Sequence, residues 1–173
     1  MPIYALGQHE PEIHESAFVH PDAIVIGNVT IGKDASVWPA AVLRGDHGPI
    51  QVGARTSVQD GTVVHTTRSW PTIIGAECVI GHNAHLEGCV VEDRCLLGSG
   101  SVTLNRARVR TGSLVGACAL VPEGFVVPAG SMALGVPARI RPLSREDGWI
   151  GDSVASYVES ARRYRTELRR IGP

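Results

Sequence analysis

The residues best able to do chemistry in this 173-residue chain fall in two short runs. The first is Arg44-Gly45-Asp46-His47, followed by Gln59-Asp60 and His65, and the second holds His82, His85 and Glu87. Imidazoles and carboxylates are the donors from which divalent metal sites are built. Convergence is the difficulty: His82 and Glu87 are five residues apart, a contour of up to about 17 Å on an extended chain, whereas each ligand must come within about 2 Å of the ion. A lone histidine on a polar position is ordinarily a surface residue, so only the arrangement of the whole set carries meaning.

The elements that position these groups follow from a period of six. Val19, Val25, Ile31, Val37 and Leu43 are spaced by six, then Val52, Val58 and Val64, then Ile74, Ile80 and Leu86, and a further run continues from Val91 to Val127. Two residues before each stands a mostly small one, among them Cys78, Cys89 and Cys95. A helix needs spacings of three and four and a strand needs alternation, so neither explains six. A hexapeptide solenoid does, because each repeat supplies one short strand and one bend, and three repeats close a triangular coil around an aliphatic column. The eighteen repeats predict an all-β parallel β-helix of about six coils over residues 1–141. Glycines after the aliphatic position, such as Gly32, Gly53 and Gly75, suit bends that need positive φ or close backbone approach. Residues 142–173 read as a C-terminal amphipathic helix packed on the β-helix, opened by a capping-box variant at Ser144-Arg-Glu-Asp147.

Assigning every third repeat to one face places Leu43, Val64 and Leu86 in one column, so Arg44, His65 and Glu87 stack. Gln59, Asp60 and His82 belong to another column. Within one chain the two groups stay apart. Prisms packed side by side bring one column against the other, which predicts a homotrimer with sites between subunits.

Composition narrows the partners. A formal net charge of −1 gives no electrostatic reason for nucleic acid or an anionic membrane. The arginines from Arg162 to Arg170 read as a solvated helix face. No secretory signal and no membrane-length apolar run is present, so a cytoplasmic protein is expected. The four cysteines contain no C-x-x-C pair and read as buried reduced thiols.

The stretch VLRGDHGPIQVGARTSVQDGTVVH (42–65), with IGHNAHLEGC (80–89), resembles the γ-class carbonic anhydrase family and its relatives labelled ferripyochelin-binding proteins. The resemblance runs from about Val19 to the C-terminal helix. It implies a left-handed winding and a divalent metal, zinc foremost, with iron or cobalt as alternatives. His65 and His82 are then ligands from two subunits, Gln59 orients the water, and Arg44 pairs with Asp60 across the interface, with Asp46 completing the R-G-D run. The implied activity is that of a carbonate dehydratase lyase, a metal-bound hydroxide attacking carbon dioxide or a similar small carbonyl. His47 follows the R-G-D run, where an imidazole suits a proton shuttle, and the resemblance implies that Tyr157 overhangs the site. Residues 66–71, TTRSWP, carry no counterpart of the family's second glutamate-bearing loop.

The sequence departs from the family at position 87, where L-H-G-C becomes Leu86-Glu87-Gly88-Cys89. Glu87 replaces histidine in a His₂Glu set, or His85 supplies the ligand despite an expected position on the wrong side of the strand, or the site is weakened. Two other classes stay open: a coenzyme A-dependent acyltransferase or thioesterase of hexapeptide type, and a non-catalytic member with a degraded site.

Overall fold

The computed structural model describes residues 2–143 and 149–172. The proposed capping box at 144–147 lies outside the described residues. The chain winds into a left-handed β-solenoid of about seven turns with one C-terminal helix. One face stacks the strands Phe18–Val19, Ser36–Val37, Ser57–Val58, Val79–Ile80, Leu96–Leu97, Leu114–Val115 and Ser131–Leu134, all in parallel register. The other two faces are joined by long strands that run round a corner, Ile24–Ile31 and Val42–Val52.

The extra turn has a simple origin. Ile3 pairs with Val25 and Ile13 with Ile31, so both are aliphatic rungs, but they stand ten residues apart and escape a search for six. Ala133 closes the last turn beneath Val115. Strand Arg139–Pro142 then folds back antiparallel on Ser131–Leu134 and covers that edge, which would otherwise offer unpaired backbone to another chain.

The aliphatic column is fully interior: Val25, Val37, Leu43, Val58, Val64, Ile80, Leu86 and Leu97 are all buried. Each such side chain contributes roughly 1.5–3 kcal/mol by leaving water. The glycines that follow the aliphatic position serve close stacking rather than positive φ. A Cβ on Gly53 would lie 2.3 Å from the carbonyl carbon of Gly75 in the next turn. The left-handed residue falls two positions later, at Asp34, Arg55, Glu77, Asn83 and Cys118. Cys78, Cys89 and Cys95 are buried free thiols, whereas Cys118, at one of these left-handed bends, is exposed, which corrects the expectation that all four are interior. Burial pushes the Cys89 thiol up to about 12.

Helix α1 (Trp149–Glu167) lies along the first face. Val154 and Val158 pack on Val79, and Ala161, Tyr157 and Tyr164 close over Phe18 and Trp38. The Trp38 indole N–H is satisfied by the hydroxyls of Ser36 and Ser57 at 3.0 and 2.9 Å. Of the helix arginines, Arg165 donates to the carbonyls of Ser16 and Glu15, pinning the helix end to an early coil. Among the described residues no helix is long and apolar enough to cross a membrane.

Candidate metal centre

The column arithmetic is realised in the register: Arg44 pairs with His65, and His65 with Glu87, on adjacent strands. Leu43, Val64 and Leu86 between them point inward and are buried, so the polar residues beside them are turned outward. Gly45 allows this packing. Its backbone runs against Asn28, whose carbonyl oxygen would lie 2.4 Å from a Cβ. The run after Leu43 stays within strand Val42–Val52, which pairs first with Val63–His65 and then with Thr72–Ile74, and residues 46–49 between them form a bulge opposite Asn28.

His65 is the centre of the arrangement. Its Nε2 lies 2.9 Å from Asp46 Oδ1 and its Nδ1 3.1 Å from Glu87 Oε1. Arg44 contacts the other oxygen of Asp46, and His85 Nε2 stands 3.5 Å from the other oxygen of Glu87. The result is a chain of alternating donors and acceptors, Arg44, Asp46, His65, Glu87, His85. Partial burial opposes the charge on Asp46, but hydrogen bonds from His65 and Arg44 together hold its carboxyl below the usual carboxylate range. Thr72, which sequence reasoning did not single out, braces the site from below: its hydroxyl donates to the His65 carbonyl and accepts the Gly88 N–H at 2.8 Å. Only the tertiary fold shows this, since a small residue at an inward position otherwise carries no signal.

His85 was expected on the wrong side of its strand. It is on the same side as Glu87, because the two flank inward Leu86 and alternate residues share a face.

Asp46, His47 and His65 offer ligand atoms that all lie within 4.8 Å of one another, the group among the described residues that can hold a metal ion. The His47 ring is 5.9 Å from that of His65. Two imidazoles and a carboxylate are borderline donors, suited to zinc, iron or cobalt. His82 is not part of this group. It stands at the opposite corner with its Nδ1 2.9 Å from Asp60. Gln59, 4% exposed, and Tyr157 of α1 gather there too. Burial first, and the Asp60 carboxylate second, push the Tyr157 hydroxyl up, and a hydrogen bond with Gln59 partly offsets them. The structure therefore brings together Arg44, Asp46, His47, His65, His85 and Glu87 in one group and Gln59, Asp60, His82 and Tyr157 in another. Within one chain Arg44 reaches Asp46, and Asp60 reaches His82.

Comparison with known proteins fits this architecture. The family profile "Bacterial transferase hexapeptide (six repeats)" matches residues 10–45 and 71–105. The carnitine operon protein CaiE of Salmonella agona is 36% identical over 175 residues, covering 100% of this chain and 88% of that protein. The chain belongs to the γ-carbonic anhydrase and CaiE-like hexapeptide-repeat family. Another relative, gamma carbonic anhydrase 1, mitochondrial, of Arabidopsis thaliana, is 39% identical over 165 residues, 91% of this chain. The chain spans 60% of the length of that plant protein. Among solved structures, a putative acetyltransferase of Bacillus cereus superposes with a TM-score of 0.94 at 32% identity, covering 96% of this chain and 98% of that one. A hexapeptide transferase family protein of Anaplasma phagocytophilum gives 0.90 at 35% identity, covering 94% and 97%.

Proposed function

We propose that this chain forms a homotrimer with a divalent metal, zinc foremost, held on His65 and completed by His82 of the neighbouring copy, and that the site hydrates carbon dioxide or attacks a similar small carbonyl. The observation that carries this reading is the bracketing of His65 by carboxylates on both ring nitrogens, 2.9 and 3.1 Å away. That concentration of imidazole and carboxylate donors invites a cation. The surface beside it supports assembly: the outward row Ile24, Val42, Val63, Val102 and Leu120, interrupted by His85, is apolar on a face away from the strands on which α1 packs, among the described residues.

When bound, the ion supplies Lewis-acid chemistry that lowers the pKa of a coordinated water towards neutrality, an effect a carboxylate ligand reduces. The chain's residues do the rest. The Gln59 amide, buried and held beside Tyr157, orients the water across the interface. Arg44 holds Asp46 in place within the chain and is positioned to meet Asp60 of a neighbour.

The test is elemental analysis of protein purified without chelator, with light scattering and a carbon dioxide hydration assay on the same sample. The expected outcome is one metal per chain in a particle three times 18.3 kDa, with the metal lost in His65→Ala. A metal-free monomer would sink the proposal. The likeness to a putative acetyltransferase of Bacillus cereus supports one rival, coenzyme A-dependent acyl transfer. Metal-free protein that consumes acetyl-coenzyme A would establish it instead.

A further inference from the structure

We propose that Glu87 orients a metal ligand instead of being one: it accepts the Nδ1–H of His65, leaves Nε2 to the ion, and the ligand places pass to Asp46 and His47. This rests on the metal reading above. Bound to a metal, an imidazole is neutral and carries one N–H beside its coordinating lone pair, and a carboxylate only accepts. The nitrogen that keeps its proton must therefore face one of the two carboxylates, and the other nitrogen is free to coordinate.

Three observations decide which is which. Asp46 Oδ1 is 2.9 Å from Nε2, and ligand atoms of Asp46, His47 and His65 form a group no wider than 4.8 Å. At Nδ1 the hydrogen-bond partner among the described residues is Glu87, with Oε1 at 3.1 Å, and its second oxygen is turned to His85 at 3.5 Å. Position within the ring agrees, because Nδ1 adjoins the carbon that joins the ring to the strand, while Nε2 is at the tip, where a ligand from another copy can approach. The geometry also needs little change. Ligand atoms on a tetrahedral zinc site with bonds near 2.0–2.1 Å stand roughly 3.3 Å apart, so the 2.9 Å between Asp46 Oδ1 and His65 Nε2 must open by a few tenths of an ångström.

Glu87 thus completes a carboxylate–histidine–metal arrangement, in which the outer carboxylate fixes tautomer and ring orientation. The departure from histidine at position 87 then changes the ligand set without emptying the site.

The experiment uses the full-length protein loaded with zinc, 15N-labelled at histidine, and the same protein loaded with cobalt(II). Long-range 1H–15N correlations are expected to show His65 metallated at Nε2 and protonated at Nδ1. Glu87→Ala and Glu87→Gln are expected to keep the visible cobalt band shape while weakening cobalt affinity about 10- to 100-fold, whereas Asp46→Ala changes the band shape. Metallation at Nδ1, or a Glu87→Ala spectrum altered in the way Asp46→Ala alters it, overturns the assignment while the metal reading stands. Wild-type protein that binds neither ion overturns both.

Discussion

Gly45→Ala is the sharpest test of how the fold builds the site. Gly45 lies between Arg44 and Asp46 on strand Val42–Val52, and its Cβ would stand 2.4 Å from the Asn28 carbonyl oxygen and 2.9 Å from the attached carbon. These are backbone atoms of a neighbouring strand in the same sheet, so no side chain can swing aside. Restoring ordinary van der Waals contact near 3.4 Å requires about 1 Å of relative movement, and overpacking of this kind costs roughly 1–3 kcal/mol. Strand Val42–Val52 lies between Ile24–Ile31 and Val63–His65, so the same movement displaces Asp46 from its hydrogen-bonding place 2.9 Å from His65. Urea denaturation of the chelated protein should show a lower midpoint at unchanged m-value. Cobalt titration should show affinity reduced about 10-fold or more, as for lost support of a metal ligand. A variant with wild-type midpoint and wild-type cobalt affinity would refute the claim that Gly45 is required by strand contact and that this contact sets Asp46.

Two further outcomes follow from burial and charge. Brief iodoacetamide treatment of native protein, read by mass spectrometry, should label Cys118, while Cys78, Cys89 and Cys95 react only after denaturation; a labelled native Cys89, whose thiol is pushed up to about 12, would contradict the buried stack. Asp46 has its carboxyl held below the ordinary 3.8, so its contribution to stability is present above that pH and lost as pH falls through the lower folded value. Acid titration of metal-free protein should accordingly show the stability gap between wild type and Asp46→Asn constant above about pH 5 and shrinking below 3.8; a gap that widens on acidification would refute the assignment.

Much of this was legible because a triangular coil turns register into arithmetic. An insertion at a corner lengthens the path without moving the next repeat to another face. Leu43, Val64 and Leu86 therefore stay in one column despite the extra residues after each of the first two, and Arg44, His65 and Glu87 stack as counted. The first turn was not legible, since Ile3 and Ile13 depend on pairing with the coil that follows and not on their own spacing. Nor was the docking of α1, which is set by an aromatic group drawn from distant segments, Phe18, Trp38, Tyr157 and Tyr164.

The site shows where such arithmetic stops. Column counting says which Cα atoms are neighbours, but a ligand set depends on side-chain reach and on how an inserted run is accommodated. Residues 46–49 bulge within strand Val42–Val52, where the pairing jumps from Gly27–Gly45 to Val29–Ile50, and the bulge puts Asp46 against His65. His65 thereby acquires a carboxylate on each ring nitrogen, a circumstance that neither run of the sequence reveals alone. If Glu87 were a simple stand-in for histidine, the second carboxylate would be redundant. With one carboxylate fixing the ring and the other facing the ion, both have work, and loss of the histidine at 87 becomes a redistribution of roles among residues already in place.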